Sequence, residues 1–182
     1  MSSSAQDNQD APIEVVSYRT DWPVQFEAER KLLETALSPW LVGEIEHIGS
    51  TAVPGLAAKP LIDIMAPVES LEGSLPAIEA ARSLGYHFYP YMPETMHWFC
   101  KPSPAHRTHH LHLVPYGSPR WRQALAFRDA LRASKELAAE YATLKFQLAE
   151  RYRNDREAYT QTKSVFVDRV LSGLAKPGQR AV

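Results

Sequence analysis

Two β-type runs carry the residues best suited to chemistry. The first, residues 61–68, is apolar apart from one acid at its centre, Asp63. A carboxylate in such a place is costly unless it is hydrogen-bonded, solvated or metal-bound, and it is a hard oxygen ligand for Mg²⁺. The second run is HHLHLV, residues 109–114. Strand alternation puts His110 and His112 on one face and Leu111 and Leu113 on the other. Facing Asp63, the two imidazoles would complete a nitrogen–oxygen site better suited to Zn²⁺, Mn²⁺ or Fe²⁺ than to Mg²⁺. The same imidazoles could instead act as general bases or bind phosphate without metal, or be two histidines on a solvated strand face.

A small-residue loop joins a run at 42–48 to the Asp63 run, and it suits an anion. Gly49 lets backbone approach a ligand closely, and Ser50 with Thr51 offers hydroxyls and N–H groups to phosphate oxygens. Lys59, just before Pro60, reaches the same anion from the loop side, or is simply solvated. His47 alternates with Ile45, opposite Glu44 and Glu46, and reads as a supporting residue. Three further cations interrupt apolar helical stripes. Arg128 falls among Trp121, Leu125 and Leu131, Lys145 beside Leu137, Tyr141 and Leu148, and Lys163 against Tyr159, Phe166 and Val170. One such cation usually snorkels. Three on consecutive helices form either a phosphate-binding wall or internal salt bridges, such as Arg128 or Lys145 with Asp129 or Glu140.

The elements that must position these groups follow from punctuation and period. Residues 1–12 are small and polar, a disordered tail by composition. An edge strand is expected within 13–18, and a helix over 22–37 with Asp21 as N-cap and Pro23 in its first turn. The runs at 42–48 and 61–67 should be sheet neighbours. A helix over 75–84 closes at Gly85, and three strand runs, 86–91, 96–101 and 109–114, follow. Ser118-Pro119 opens a helical section broken near Ser134 and at 153–155, where Asn154 and Glu157 resemble a capping box. The order αββαβββααα predicts one α+β domain over 13–175 with a mixed sheet: an α/β part at 13–117, a three-helix part at 118–175, and a tail at 176–182.

Composition narrows the partners. The 182 residues carry a formal net charge of −1 with 45% hydrophobic residues, enough for a core without metal or disulfide. Near-neutrality gives no strong nucleic-acid signal. The one cysteine, Cys100, cannot pair internally, and no apolar run has membrane-spanning length. The N-terminus lacks a basic start and an apolar core, so no signal peptide is expected and the compartment reads as cytoplasmic.

The Gly49-Ser50 pair, followed by Asp63 within an apolar strand, resembles the active-site signature of the nucleotidyltransferase superfamily. The longer string HIGSTAVPGLAAKPLIDI, residues 47–64, resembles the signature of the GrpB family (UPF0157), a branch of that superfamily. Tyr18 to Pro23, Phe127-Arg128-Asp129, Tyr141 with Lys145, and Tyr159 with Lys163 fit the same family. The resemblance spans about residues 15–171. It implies a nucleotidyltransferase-like fold whose cleft binds a nucleotide or phosphorylated small molecule, with a divalent metal (Mg or Mn, or Zn or Fe where the histidines ligate), and nucleotidyl transfer to a small acceptor. A non-catalytic ligand-binding module and a metal-dependent hydrolase using Asp63, His110 and His112 are the alternatives. Superfamily enzymes commonly pair two acids around one apolar residue. Here the second place is Met65, which cannot hold a hard cation. GrpB-like domains also occur fused to dephospho-CoA kinases, a link to nucleotide metabolism.

Overall fold

The computed structural model describes residues 11–174; of the expected tails at 1–12 and 176–182, residues 1–10 and 176–182 lie outside them. Five strands, β1 (Glu46–Ile48), β2 (Ile62–Val68), β3 (His87–Tyr89), β4 (His97–Pro102) and β5 (Arg107–Pro115), form one sheet in the order β1-β2-β5-β4-β3. The central pair, β2 and β5, is parallel, and every other pairing is antiparallel. The helices are α1 (Trp22–Leu37), α2 (Ala77–Ser83), α3 (Pro119–Ala133), α4 (Lys135–Arg151) and α5 (Arg156–Leu174). The architecture is α+β with a mixed sheet.

Helices α1 and α2 cover one face. Trp22, Phe26, Leu33 and Leu37 of α1 recur at helical spacing and pack on Ile62, Ile64, Phe99, Leu111 and Leu113. Strand alternation turns Asp63, Met65, His110 and His112 to the other face. There Trp121 of α3 seals an apolar patch of Ile48, Met65, Met96 and Val114. Beyond that patch α3, α4 and α5 form their own core around Leu131, Tyr141 and Phe166, into which the loop after β1 inserts Val53 and Leu56.

The helical section breaks where its capping residues sit. Ser118 Oγ accepts from Trp121 N, and Ser134 Oγ caps α4 through Leu137 N at 3.1 Å. Three expectations are corrected. The α5 cap is Asp155, whose carboxylate accepts from Ala158 N, and not Asn154. Asp21 precedes α1, but Arg19 and Gln25 hold its carboxylate, which leaves none for the helix N–H groups. The 13–18 segment makes a single bridge, Val16 to Ala58, and no strand of the sheet, because it crosses the loop instead of running beside β1. Ala11 N, expected within the tail, donates to Ala105 O at 3.1 Å.

Under α1 one buried charge is fully partnered. Glu29 accepts from Lys101 Nζ at 2.5 Å and from the Tyr86 hydroxyl at 2.9 Å, and its side chain is 7% exposed. Removing the carboxylate strands a buried ammonium. Glu29→Ala should therefore cost about 3–5 kcal/mol in urea unfolding, and Glu29→Leu with Lys101→Met should recover much of it.

Candidate functional site

The register of the parallel pair sets Asp63 directly opposite His110, with Ile48 of β1 on its other side. His110 Nδ1 stands 3.0 Å from Asp63 Oδ1, and His112 Nε2 is 3.8 Å from the same oxygen. One ligand atom from each of the three residues lies within 4.8 Å of the others. Asp63 is a quarter exposed and both histidines are nearly covered. The Nε2 atoms of His110 and His112 are buried and have no hydrogen-bond partner in the protein, so each can take a water or an ion. The donor set, two imidazole nitrogens and one carboxylate, fits Zn²⁺, Mn²⁺ or Fe²⁺.

Electrostatics keep this cluster in ligating form. Burial alone would raise the Asp63 pKa, but the hydrogen bonds of His110 and His112, and their charge once acid protonates them, outweigh it and hold the carboxyl well below the usual carboxylate range. Burial pushes His112 down to about 4 and lowers His110 as well, against the pull of Asp63. An ionised acid beside two neutral imidazoles is what a divalent cation needs. On its far side His112 is fixed by Met96, with Nδ1 3.3 Å from Sδ.

The loop after β1 turns sharply at Gly49, φ +71°, into a 3-10 turn, Ser50–Ala52. What crowds Gly49 is Asp63 itself: a Cβ there would lie 2.4 Å from Asp63 Oδ2. The glycine is thus required by the acid as well as by the backbone. His47, on the α1 face, stacks on Phe26 at 4.6 Å and donates from Nε2 to Thr51 Oγ1, which donates in turn to Leu61 O. The Thr51 hydroxyl is therefore spent on holding the loop closed, and any contact from Thr51 to an anion would have to come from its backbone.

Next to Asp63 opens a cleft lined by Ser50, Lys59, Lys145, Tyr159 and Lys163. Two of the three expected helical cations meet there. Lys145 is 2% exposed, donates to Ala57 O and lies over the Tyr141 ring. Lys59 and Lys163 lie over the Tyr159 ring, 5.0 and 5.4 Å from its centroid. Among the described residues none of the three lysines has a carboxylate partner; Glu140 is taken by Arg169 at 2.7 Å. Burial, then the charges of Lys163 and Arg156, lowers Lys59 to about 7. Burial, then Lys163 and Lys59, does the same to Lys145. An anion in the cleft would restore both charges.

Arg128 is the correction. It binds Glu46 at 2.7 Å, Asp129 at 2.8 Å and His47 O at 3.1 Å, so it fastens α3 to β1 and takes no place in the cleft. The cause is Glu46, which alternation turns to the α3 side of β1 to meet the guanidinium. Arg120 went unread in the sequence. It follows a helix-opening proline, where a basic residue is normally solvated, yet its Nε is buried without a partner.

The model of the GrpB protein family matches residues 12–172. The chain belongs to the GrpB family. It is 41% identical over 173 residues to a UPF0157 protein of Pseudomonas aeruginosa, covering 93% of this chain and 69% of that relative. The crystal structure of the conserved protein GrpB from Enterococcus faecalis superposes with a TM-score of 0.78 at 31% identity, over 90% of this chain and 100% of that one. A dephospho-CoA kinase of Mycolicibacterium paratuberculosis is 29% identical over 179 residues, which is 84% of this chain and 44% of the kinase. No helix among the described residues of this GrpB chain is long and apolar enough to cross a membrane.

Two outcomes test the site. Gly49→Ala should displace Asp63 and lower stability by about 1–3 kcal/mol, read by thermal melts. The second concerns pH. Lys59 and Lys145 hold fewer protons folded than unfolded between about pH 7 and their ordinary value of 10.5. Stability should therefore rise with pH from about 7 to 9, and Lys145→Met should flatten that rise. Above about pH 10 the raised Tyr159 pulls the other way.

Proposed function

We propose that this GrpB chain binds a nucleotide or another phosphorylated small molecule, with a phosphate in the lysine cleft and a divalent metal held by Asp63, His110 and His112. One observation carries the reading: two buried imidazole nitrogens without partners stand beside an ionised acid, at the wall of a cleft whose three lysines form no salt bridge among the described residues. Lysines whose charge is suppressed by burial and by each other gain most from a multiply charged anion. Such a metal would polarise the phosphoryl group and neutralise developing charge.

The reaction we assign is nucleotidyl transfer, in keeping with the nucleotidyltransferase superfamily that the Gly49-Ser50 and Asp63 pattern resembles. The acceptor's oxygen or nitrogen bonds to phosphorus as the bond to pyrophosphate breaks in line, and the acceptor releases its proton. The lysines hold the phosphate, and Gly49 keeps the Asp63 carboxylate close to the turn. Met65 is buried in the apolar patch under Trp121. A two-acid metal pair is therefore excluded at this position, and the histidines take the second acid's place. The similarity to a dephospho-CoA kinase, a nucleotide-using protein by its name, is in keeping with this reading. Hydrolysis is the second reading, favoured by the Asp63–His110 hydrogen bond, which can orient an imidazole toward a water.

The test is metal and nucleotide titration followed by turnover. After chelation and reloading, the wild type should bind Mn²⁺ or Zn²⁺, and Asp63→Asn should weaken that affinity at least about tenfold with an unchanged melt. Lys163→Met should weaken nucleotide binding by roughly 1.5–3 kcal/mol. Pyrophosphate release that depends on an added acceptor marks transfer, and release without one marks hydrolysis. A wild type that takes up neither metal nor nucleotide would exclude both.

A further inference from the structure

Arg120 stands in the first turn of α3, between Pro119 and the Trp121 that seals the patch beside Met65 and Val114. The other arginines on this helix's inner side are committed. Arg128 holds Glu46, and Arg132 donates to Ala52 O at 2.8 and 3.0 Å. Arg120 holds nothing: among the described residues no carboxylate pairs with it, and its Nε is buried without an acceptor. The residue as a whole is half-buried, and its guanidinium keeps its charge with no acid opposing it, so an anion is the partner that suits it. Its charge acts on Asp63 and on His112, which places it at this site and not on a remote surface.

Its direction of approach is the informative part. β2 and β5 run parallel, so one end of the pair carries Lys59 and Leu61 and the other leads through Pro115 and Gly117 into α3. In backbone order along that axis come Lys59, then Asp63 with His110, then His112, then the start of α3, which carries Arg120. The metal-ligand cluster therefore lies between two separate cationic groups, the lysines at one end and Arg120 at the other. The cleft lining holds all three lysines and does not include Arg120. A single phosphate on the lysines would leave Arg120 unmet.

We propose that Arg120 is a second anion-binding group of this site, and that the substrate carries a chain of two or more phosphoryl groups. One end of the chain lies on Lys59, Lys145 and Lys163, the other on Arg120, and the Asp63–His110–His112 cluster sits between them. The proposal rests on the phosphate reading above, whose pyrophosphate leaving group already requires such a chain, and adds the side chain that meets its far end. The planar guanidinium, with two parallel donors, suits a phosphoryl group at the leaving end.

The experiment is calorimetric titration of the full chain with inorganic triphosphate and with orthophosphate, each with and without Mn²⁺. Wild type should prefer triphosphate by about 10- to 100-fold, the worth of one or two charged hydrogen bonds. Arg120→Met should lose most of that preference while orthophosphate affinity stays within about twofold, and Lys163→Met should weaken both anions. Should Arg120→Met melt much lower than wild type, Arg120→Lys decides: it keeps the charge, loses the fork, and should bind triphosphate more weakly with orthophosphate unchanged. A preference for triphosphate that is indifferent to both Arg120 variants, or no preference in the wild type, overturns this proposal alone. A wild type that binds neither anion overturns the phosphate reading and this proposal with it.

Discussion

Because β2 and β5 run parallel at the centre of the sheet, Asp63 lies opposite His110, and His112 follows two residues further on the same face. Pleat alternation then leaves no freedom: Ile62, Ile64, Leu111 and Leu113 must face α1 and α2, where they are fully covered. A shift of one residue in this pairing would bury the acid among those side chains and expose the leucines. The core on one face thus fixes the chemistry on the other. Gly49 belongs to the same constraint, since the turn after β1 passes so close to the Asp63 carboxylate that no side chain fits between them.

The helical section is tied to this sheet by cations used in two ways. Arg128 and Arg132 spend their donors on Glu46, His47 O and Ala52 O, so α3 is fastened to β1 and to the turn that follows it. Lys145 also grips the loop, at Ala57 O, but among the described residues it, Lys59 and Lys163 form no salt bridge. Full pairing gives a fastener. Partial pairing gives a cleft whose charge is suppressed by burial and by neighbouring cations. The Glu29–Lys101–Tyr86 group on the opposite face shows the other outcome, a buried charge closed on itself with no room for a ligand.

Much of this was written in the chain. The Ser118-Pro119 and Ser134 caps, the glycine after α2 and the alternation in 61–68 and 109–114 are local signals, and local signals set elements. The string from His47 to Ile64 named the family. Asp63, His110 and His112 were legible as a set, because each strand's own period assigns its faces and only the pairing of the two runs had to be supplied. The Asp155 cap and the bridging path of 13–18 were misread, because a cap turns on one residue's rotamer and a lone bridge on what the segment crosses.

The sequence by itself determined which residues share a face, since side-chain period is a property of one element. It could not say what stands opposite that face. Arg128 and Lys145 each interrupt an apolar stripe in the same manner, yet one meets Glu46 across α3 and β1 and the other meets a carbonyl, the Tyr141 ring and two more lysines. Arg120 gave no signal, because its burial comes from the packing of α3 against the sheet and not from its neighbours in the chain. A cation's role is set by the charge that approaches it through space, so the tertiary structure alone decided which cations are fasteners and which stand without an acidic partner among the described residues.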